Sequence, residues 1–212
     1  MWGETCTQYF FTSLDDIAKP NFEGAKYVFS PPVRDKSNWD VLWNAVRGDA
    51  LSVISTDHCA FRFDTQKTLG KDDFSKIPNG GPGLENRLHM IHEFGARAGR
   101  ISLNRMVDLL ATSPAKLFGL YPRKGTIAVG ADADLVLFDP ERRETISAST
   151  HHSKCDYSLY EGTEVVGAPE LVLLRGSVLV EDGELLAAPG SGRFVPRARF
   201  GEQLEASTAV PS

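Results

Sequence analysis

A carboxylate stands at Asp57, within Ser55-Thr56-Asp57-His58-Cys59 and directly after the apolar run Leu51-Ser52-Val53-Ile54. The β-branched run predicts a short buried strand, which puts Asp57 at its C-terminal tip. In a barrel of parallel strands, reactive groups come from those tips. A carboxylate there can ligate a metal ion or carry a proton between a water and a leaving group. Read alone, such an Asp is more often a cap on a strand end, and this segment by itself leaves both readings open. No other metal ligand is evident nearby, so the chain is expected to hold only part of an active site.

Other residue pairs have reactive side chains but weaker spacing. On a continuing strand His58 would point away from Asp57 and Cys59 would share its face. His58 therefore reads as structural, and Cys59 as a pocket-lining thiol without an identifiable base. His89 and His92 lie i, i+3 on a predicted helix and read as part of a solvated face. His151-His152 falls in a later, β-rich region and reads as structural. Ser30, before Pro31-Pro32, and Asn79, before Gly80-Gly81, read from their neighbours as turn residues. Gly80 and Gly81 would allow close backbone approach to a ligand. Arg193, Arg197 and Arg199 form a basic stretch near the C-terminus, read as solvated surface or as an interface.

The elements that would position these groups follow from periodicity. A strand beginning near Trp2 is expected to end in Gln8-Tyr9-Phe10-Phe11. Trp39, Leu42, Trp43 and Val46 fall at helical spacing over residues 38–47. A long loop is expected from about Ala60 to Pro82, and a loop of that length inside a compact domain is usually functional or disordered. Leu84, Leu88, Ile91 and Phe94 mark a helix ending near Gly99. Ser102 reads as the N-cap of another, and Ser113-Pro114 as the start of a third that stops at Gly119. After Tyr121-Pro122 come short β runs at residues 126–129, 135–138, 171–174 and 178–180, with a hairpin turn at Asp182-Gly183.

The chain has 212 residues, 42% hydrophobic and 24% charged, which suits one large or two small globular domains. A net charge of -5 gives no electrostatic case for binding nucleic acid or an anionic membrane. No apolar run approaches the roughly 18 residues of a membrane helix. Met1 to Thr5 lacks the basic and apolar regions of a signal peptide. Three scattered cysteines read as reduced thiols of a cytoplasmic protein. A strand-helix-strand piece of this size would leave barrel edges open, so the natural protein is expected to extend further at its N-terminus.

Seven segments together resemble the cyclic amidohydrolases of the dihydropyrimidinase and D-hydantoinase type: Gly3 to Tyr9, Gly24 to Asp35, Ser55 to Cys59, Gly70 to Phe74, Ile77 to Gly81, Ala115 to Leu120, and Lys124 to Val136. The last is common to many amidohydrolases. The Ser-Pro-Pro, Thr-Asp-His-Cys and Ile-Pro-Asn-Gly segments, in this order, are far more specific. Thr7 departs from the pattern, which usually has Pro there.

The resemblance, running to about residue 200, implies an α/β fold. Residues 1–120 would be the C-terminal portion of a metal-dependent-hydrolase (β/α)8 TIM barrel and 121–188 part of a small β-sandwich, with 189–212 an extended arm and tail. It also implies two divalent metals per site, usually zinc. Their ligands are a His-x-His pair on the first strand, a carboxylated lysine, two further histidines and an Asp on the last strand. Asp57 matches that Asp, as catalytic group and metal ligand, and the other ligands would precede Met1. Ser30 and Asn79 match the substrate-binding positions, whose backbone groups read the N–H and C=O of the ring's imide edge. The implied reaction is hydrolysis of a small cyclic amide to an N-carbamoyl amino acid in a cytoplasmic homotetramer, with no nucleic-acid or membrane partner. The 212 residues alone are expected to be inactive. Two other readings compete. One is a non-catalytic adaptor like the collapsin response mediator proteins, disfavoured by the retained Asp57 and Asn79. The other is an allantoinase or dihydroorotase, disfavoured by the Ser-Pro-Pro-Val-Arg-Asp and Ile-Pro-Asn-Gly segments.

Overall fold

The computed structural model describes residues 1–199. Two short strands, β1 (Glu4–Cys6) and β2 (Val53–Ser55), pair in parallel with Thr5 opposite Ile54. A parallel pair needs a crossover connection. Here it contains a short helix α1 (Leu14–Ile17) and the longer α2 (Asn38–Arg47). Ser13 caps α1 through a reciprocal pair of bonds with Asp16, and the apolar stripe of α2 buries Trp43 and Val46.

After β2 the chain runs through two single 3-10 turns, Lys67–Gly70 and Phe74–Lys76, before α3 (Arg87–Ile91), which continues as a π-helical turn over His92–Arg97. α4 (Leu103–Val107) is capped by the Ser102 hydroxyl, which accepts from the Arg105 N–H. The strands and these helices enclose Phe10, Trp43, Ile54, Ile91 and Leu109. Each fully buried aliphatic side chain there contributes about 2 kcal/mol. A second cluster, around Tyr27, Phe29, Val33, Tyr157 and Tyr160, ties the crossover to the β-rich part.

That part is a four-stranded antiparallel sheet in the order β3 (Leu135–Thr145), β4 (Glu164–Leu174), β5 (Ser177–Glu181), β6 (Glu184–Leu185). Asp182 and Gly183 both take positive φ, 49° and 82°, as the two-residue hairpin turn requires.

Three local expectations are corrected. Residues 7–10 form a 3-10 turn instead of extending β1, because Phe10 turns inward to stack on Trp43 with ring centroids 4.5 Å apart. Residues 126–129 form no strand, and Ile127 and Val129 are exposed. Ser113-Pro114 does open a helical segment, with Pro114 in its first turn, but Ser113 is not its N-cap. A π-helical turn over Asp108–Thr112 leads directly from α4 into α5 (Ser113–Leu117), and the Ser113 hydroxyl bonds Asp108. Pro114 sits in the first turn of α5, the part of a helix that tolerates its missing N–H. Gly119 does end the helix, at φ 67°, and its carbonyl accepts from the Ala198 N–H. Residues 189–199 contain no helix or strand; 200–212 lie outside the described residues.

Candidate active site

Asp57 lies two residues past the end of β2, exposed, with φ at 45°. Asp tolerates this left-handed conformation better than most residues. It interrupts the strand alternation, so Asp57, His58 and Cys59 are not disposed as on a continuing strand. The strand tips beneath are fastened together. Thr7 Oγ1 donates to the Ser55 carbonyl at 3.0 Å, Cys6 Sγ lies 3.1 Å from Ser55 Oγ, and Arg87 donates to the Ile54 carbonyl at 3.0 Å.

A second layer draws two turns to this end of the strands. His58 pairs with Gly81 in a parallel bridge, and the Cys59 N–H donates to the Gly81 carbonyl. His58 Nδ1 accepts from the Gly83 and Leu84 N–H groups, each at 3.3 Å, so its neutral form carries its proton on Nε2. His58 is thus structural: it holds the 79–84 segment beside Asp57. Gly80 packs so closely that a Cβ would lie 2.2 Å from the Cys59 carbonyl oxygen. The close approach expected of this glycine is therefore made to the protein's own backbone.

Ser30 and Asn79 meet, with the Ser30 hydroxyl donating to Asn79 Oδ1 at 3.3 Å. Both are exposed. The Ser30–Pro31 peptide is cis, and the Pro31 carbonyl accepts from the Tyr9 hydroxyl at 2.7 Å. Burial pushes the Tyr9 phenol up to about 12, with Cys6 and Asp57 adding to the shift, so Tyr9 stays a donor at neutral pH.

The expected solvated face at His89 and His92 is overturned. His92 is buried, donates from Nδ1 to the Val166 carbonyl at 3.0 Å and stacks on Phe138. His89 is half-buried, with burial holding its imidazole below the usual range, and its Nε2 lies 3.5 Å from Glu144. Both pack where the helix meets the sheet. His151 bonds Asn86 and His152 bonds Glu85, a structural role as expected. Among the described residues no group of three His, Cys, Asp or Glu side chains could hold a metal ion. Asp57 alone does not fit a two-metal centre.

Residues 68–166 match the family model described as amidohydrolase family. Over 201 residues the chain is 52% identical to a D-hydantoinase of Geobacillus stearothermophilus, and over 198 residues 51% identical to one of Rhizobium radiobacter. The crystal structure of a dihydropyrimidinase from Brevibacillus agri superposes with a TM-score of 0.92 at 51% identity, over 94% of this chain. Over nearly its whole length the chain is similar to D-hydantoinases and dihydropyrimidinases. Its fold is the corresponding part of the hydantoinase architecture. The match covers 95% and 93% of this chain but 43% of each D-hydantoinase, and 43% of the dihydropyrimidinase, so the chain spans less than half the length of these relatives.

Beside these turns lies Lys67, a residue that sequence reasoning passed over. It is wholly buried, and its ammonium donates to the Val28 carbonyl at 3.0 Å and the Pro78 carbonyl at 2.6 Å. It falls within the expected loop of residues 60–82, where nothing in the sequence singled it out. Its only sequence signal is the neighbouring Thr68-Leu69-Gly70, a short turn that carries it inward.

Proposed function

We propose that this chain supplies the last-strand carboxylate and the ring-reading turns of a hydrolase that opens dihydropyrimidines or hydantoins to N-carbamoyl amino acids. The observation that carries the reading is one juxtaposition: Asp57 at a strand tip, bridged through His58 and Gly81 to the turn of Asn79, which bonds Ser30. Fixed backbone groups suit a small planar ring, because they bind it without ordering a side chain. On this reading the Ser30 and Asn79 backbones hold the imide edge. Asp57 takes a proton from the attacking water as its oxygen adds to the ring carbonyl, then gives it to the ring nitrogen as the C–N bond breaks.

Two metals, zinc in this reading, would activate the water and polarise the carbonyl. On this reading Asp57 supplies one donor, and the others would come from residues outside those described. The same reading makes residues 1–120 the barrel portion and 121–188 the sandwich portion of a cytoplasmic homotetramer serving pyrimidine breakdown. No helix among the described residues is long and apolar enough to cross a membrane.

The test joins this chain to the remaining portion of the Geobacillus stearothermophilus D-hydantoinase as a chimera, assayed with dihydrouracil and a 5-substituted hydantoin. Hydrolysis by the chimera and none by the 212 residues alone is the expected result. Two tightly bound zincs and turnover by the isolated chain would contradict it.

A further inference from the structure

Lys67 is wholly buried, a position far more usual for an apolar side chain, so its charge needs a reason. A buried ammonium is commonly paired with a carboxylate. Lys67 instead meets two backbone carbonyls, with the Phe61 ring 5.8 Å away. What lysine adds over an apolar side chain is directed donors.

Those donors go to informative places. Val28 lies two residues before Ser30, and Pro78 directly precedes Asn79. The Gly80 N–H also donates to the Val28 carbonyl, at 3.1 Å. One carbonyl thus collects bonds from Lys67 and from the far turn, while the ammonium spans both turns. Lys67 itself has little freedom. Its N–H donates to the Arg62 carbonyl, and Thr68 Oγ1 donates to the Asp64 carbonyl. Gly70, three residues on, packs so tightly that a Cβ would lie 2.1 Å from the Ile77 side chain.

We propose that Lys67 is a positioning residue for substrate: its ammonium fixes the separation of the Ser30 and Asn79 turns, and so the width of the slot that receives the imide edge of a cyclic amide. The inference rests on the reading that these turns face the ring. Lys67 touches no substrate in this account. It acts through the two carbonyls, and therefore on binding more than on the chemical step.

The test uses the chimera with Lys67→Met, which keeps the volume and removes the donors, and Lys67→Arg, which keeps charge and donors but is too bulky for the same span. Steady-state kinetics are paired with hydrogen exchange across the chain. Lys67→Met is expected to raise KM for the hydantoin about tenfold while kcat changes less than about threefold. Exchange is expected to quicken at residues 27–31 and 77–81 and not in α2. Should Lys67→Met fail to fold, Lys67→Arg decides, with the same rise in KM expected. An unchanged KM in a folded variant, or exchange that quickens uniformly, overturns the positioning role and leaves the hydantoinase reading standing. A wild-type chimera without hydrolysis overturns that reading, and the substrate role of Lys67 with it.

Discussion

The Ser30 hydroxyl donates to Asn79 Oδ1 across 3.3 Å, joining two exposed turns that lie 49 residues apart in the chain. Each turn is anchored from below by backbone and by Lys67, so the side-chain bond sits on top of a frame already set. Losing it should matter less than losing the frame. Ser30→Ala in the chimera is expected to raise KM no more than a few-fold, in line with a net contribution of roughly 0.5–1 kcal/mol for one exposed hydrogen bond. Steady-state kinetics check this, and a hundredfold loss would mean that the hydroxyl itself contacts the ring.

Gly80 tests the frame. A Cβ there would collide with the Cys59 carbonyl, which is backbone and cannot swing aside. Gly80→Ala is expected to cost about 1–3 kcal/mol, a fall in Tm of several degrees for a chain of this size. A thermal melt of wild type against variant reads it. An unchanged Tm would show that the 57–59 and 79–81 segments are not packed as described.

His58 makes the complementary case. Its Nδ1 is the acceptor for two N–H groups, and His58→Leu would leave both without it. The expected loss is about 1–3 kcal/mol, with faster hydrogen exchange at Gly83 and Leu84. A metal-ligand role would instead change metal content and leave exchange at those two amides untouched.

Burial lowers the Lys67 ammonium to about 8 from an ordinary 10.5, with Cys155 and Cys59 as the neighbouring titratable groups. The sign follows from proton counting. Below pH 8 the folded and unfolded chains both hold the proton, and the folded chain bears the full cost of burying the charge. Between pH 8 and 10.5 the unfolded chain keeps a proton that the folded chain has released, so stability from this site rises with pH. The Tm difference between wild type and Lys67→Met should therefore shift in favour of wild type across that window. Taking the difference cancels the thiol and phenol titrations common to both. A pH-independent difference would contradict the burial of a charged amine.

The parts of this molecule that could be read from sequence are those where one local rule decides. The β-branched run ending at Ile54 defines a strand and puts Asp57 at its tip. Asp182-Gly183 supplies the positive φ angles of a hairpin, and Ser102 caps a helix. The parts that could not be read are those decided by partners far along the chain. Phe10 leaves the strand because Trp43 offers it a ring to pack on. Ser113 is not a cap because Asp108 takes its hydroxyl and a π-turn leads directly into it. His92 looks like half of a solvated pair until β4 closes over it. Nothing singles out Lys67 until the carbonyls of Val28 and Pro78, 39 and 11 residues away, converge on it. The Ser30 and Asn79 positions came from resemblance, since each alone is an ordinary turn.

The central claim is that Asp57 is the carboxylate this chain contributes to catalysis, and Asp57→Asn in the chimera tests it most directly. The amide keeps the size of the side chain and tolerates the left-handed backbone, so folding should be intact by melting and hydrogen exchange. Hydantoin hydrolysis is expected to fall by about a thousandfold or more, the scale of removing a general acid–base group. A folded Asp57→Asn chimera that hydrolyses hydantoin within a few-fold of wild type would contradict the account.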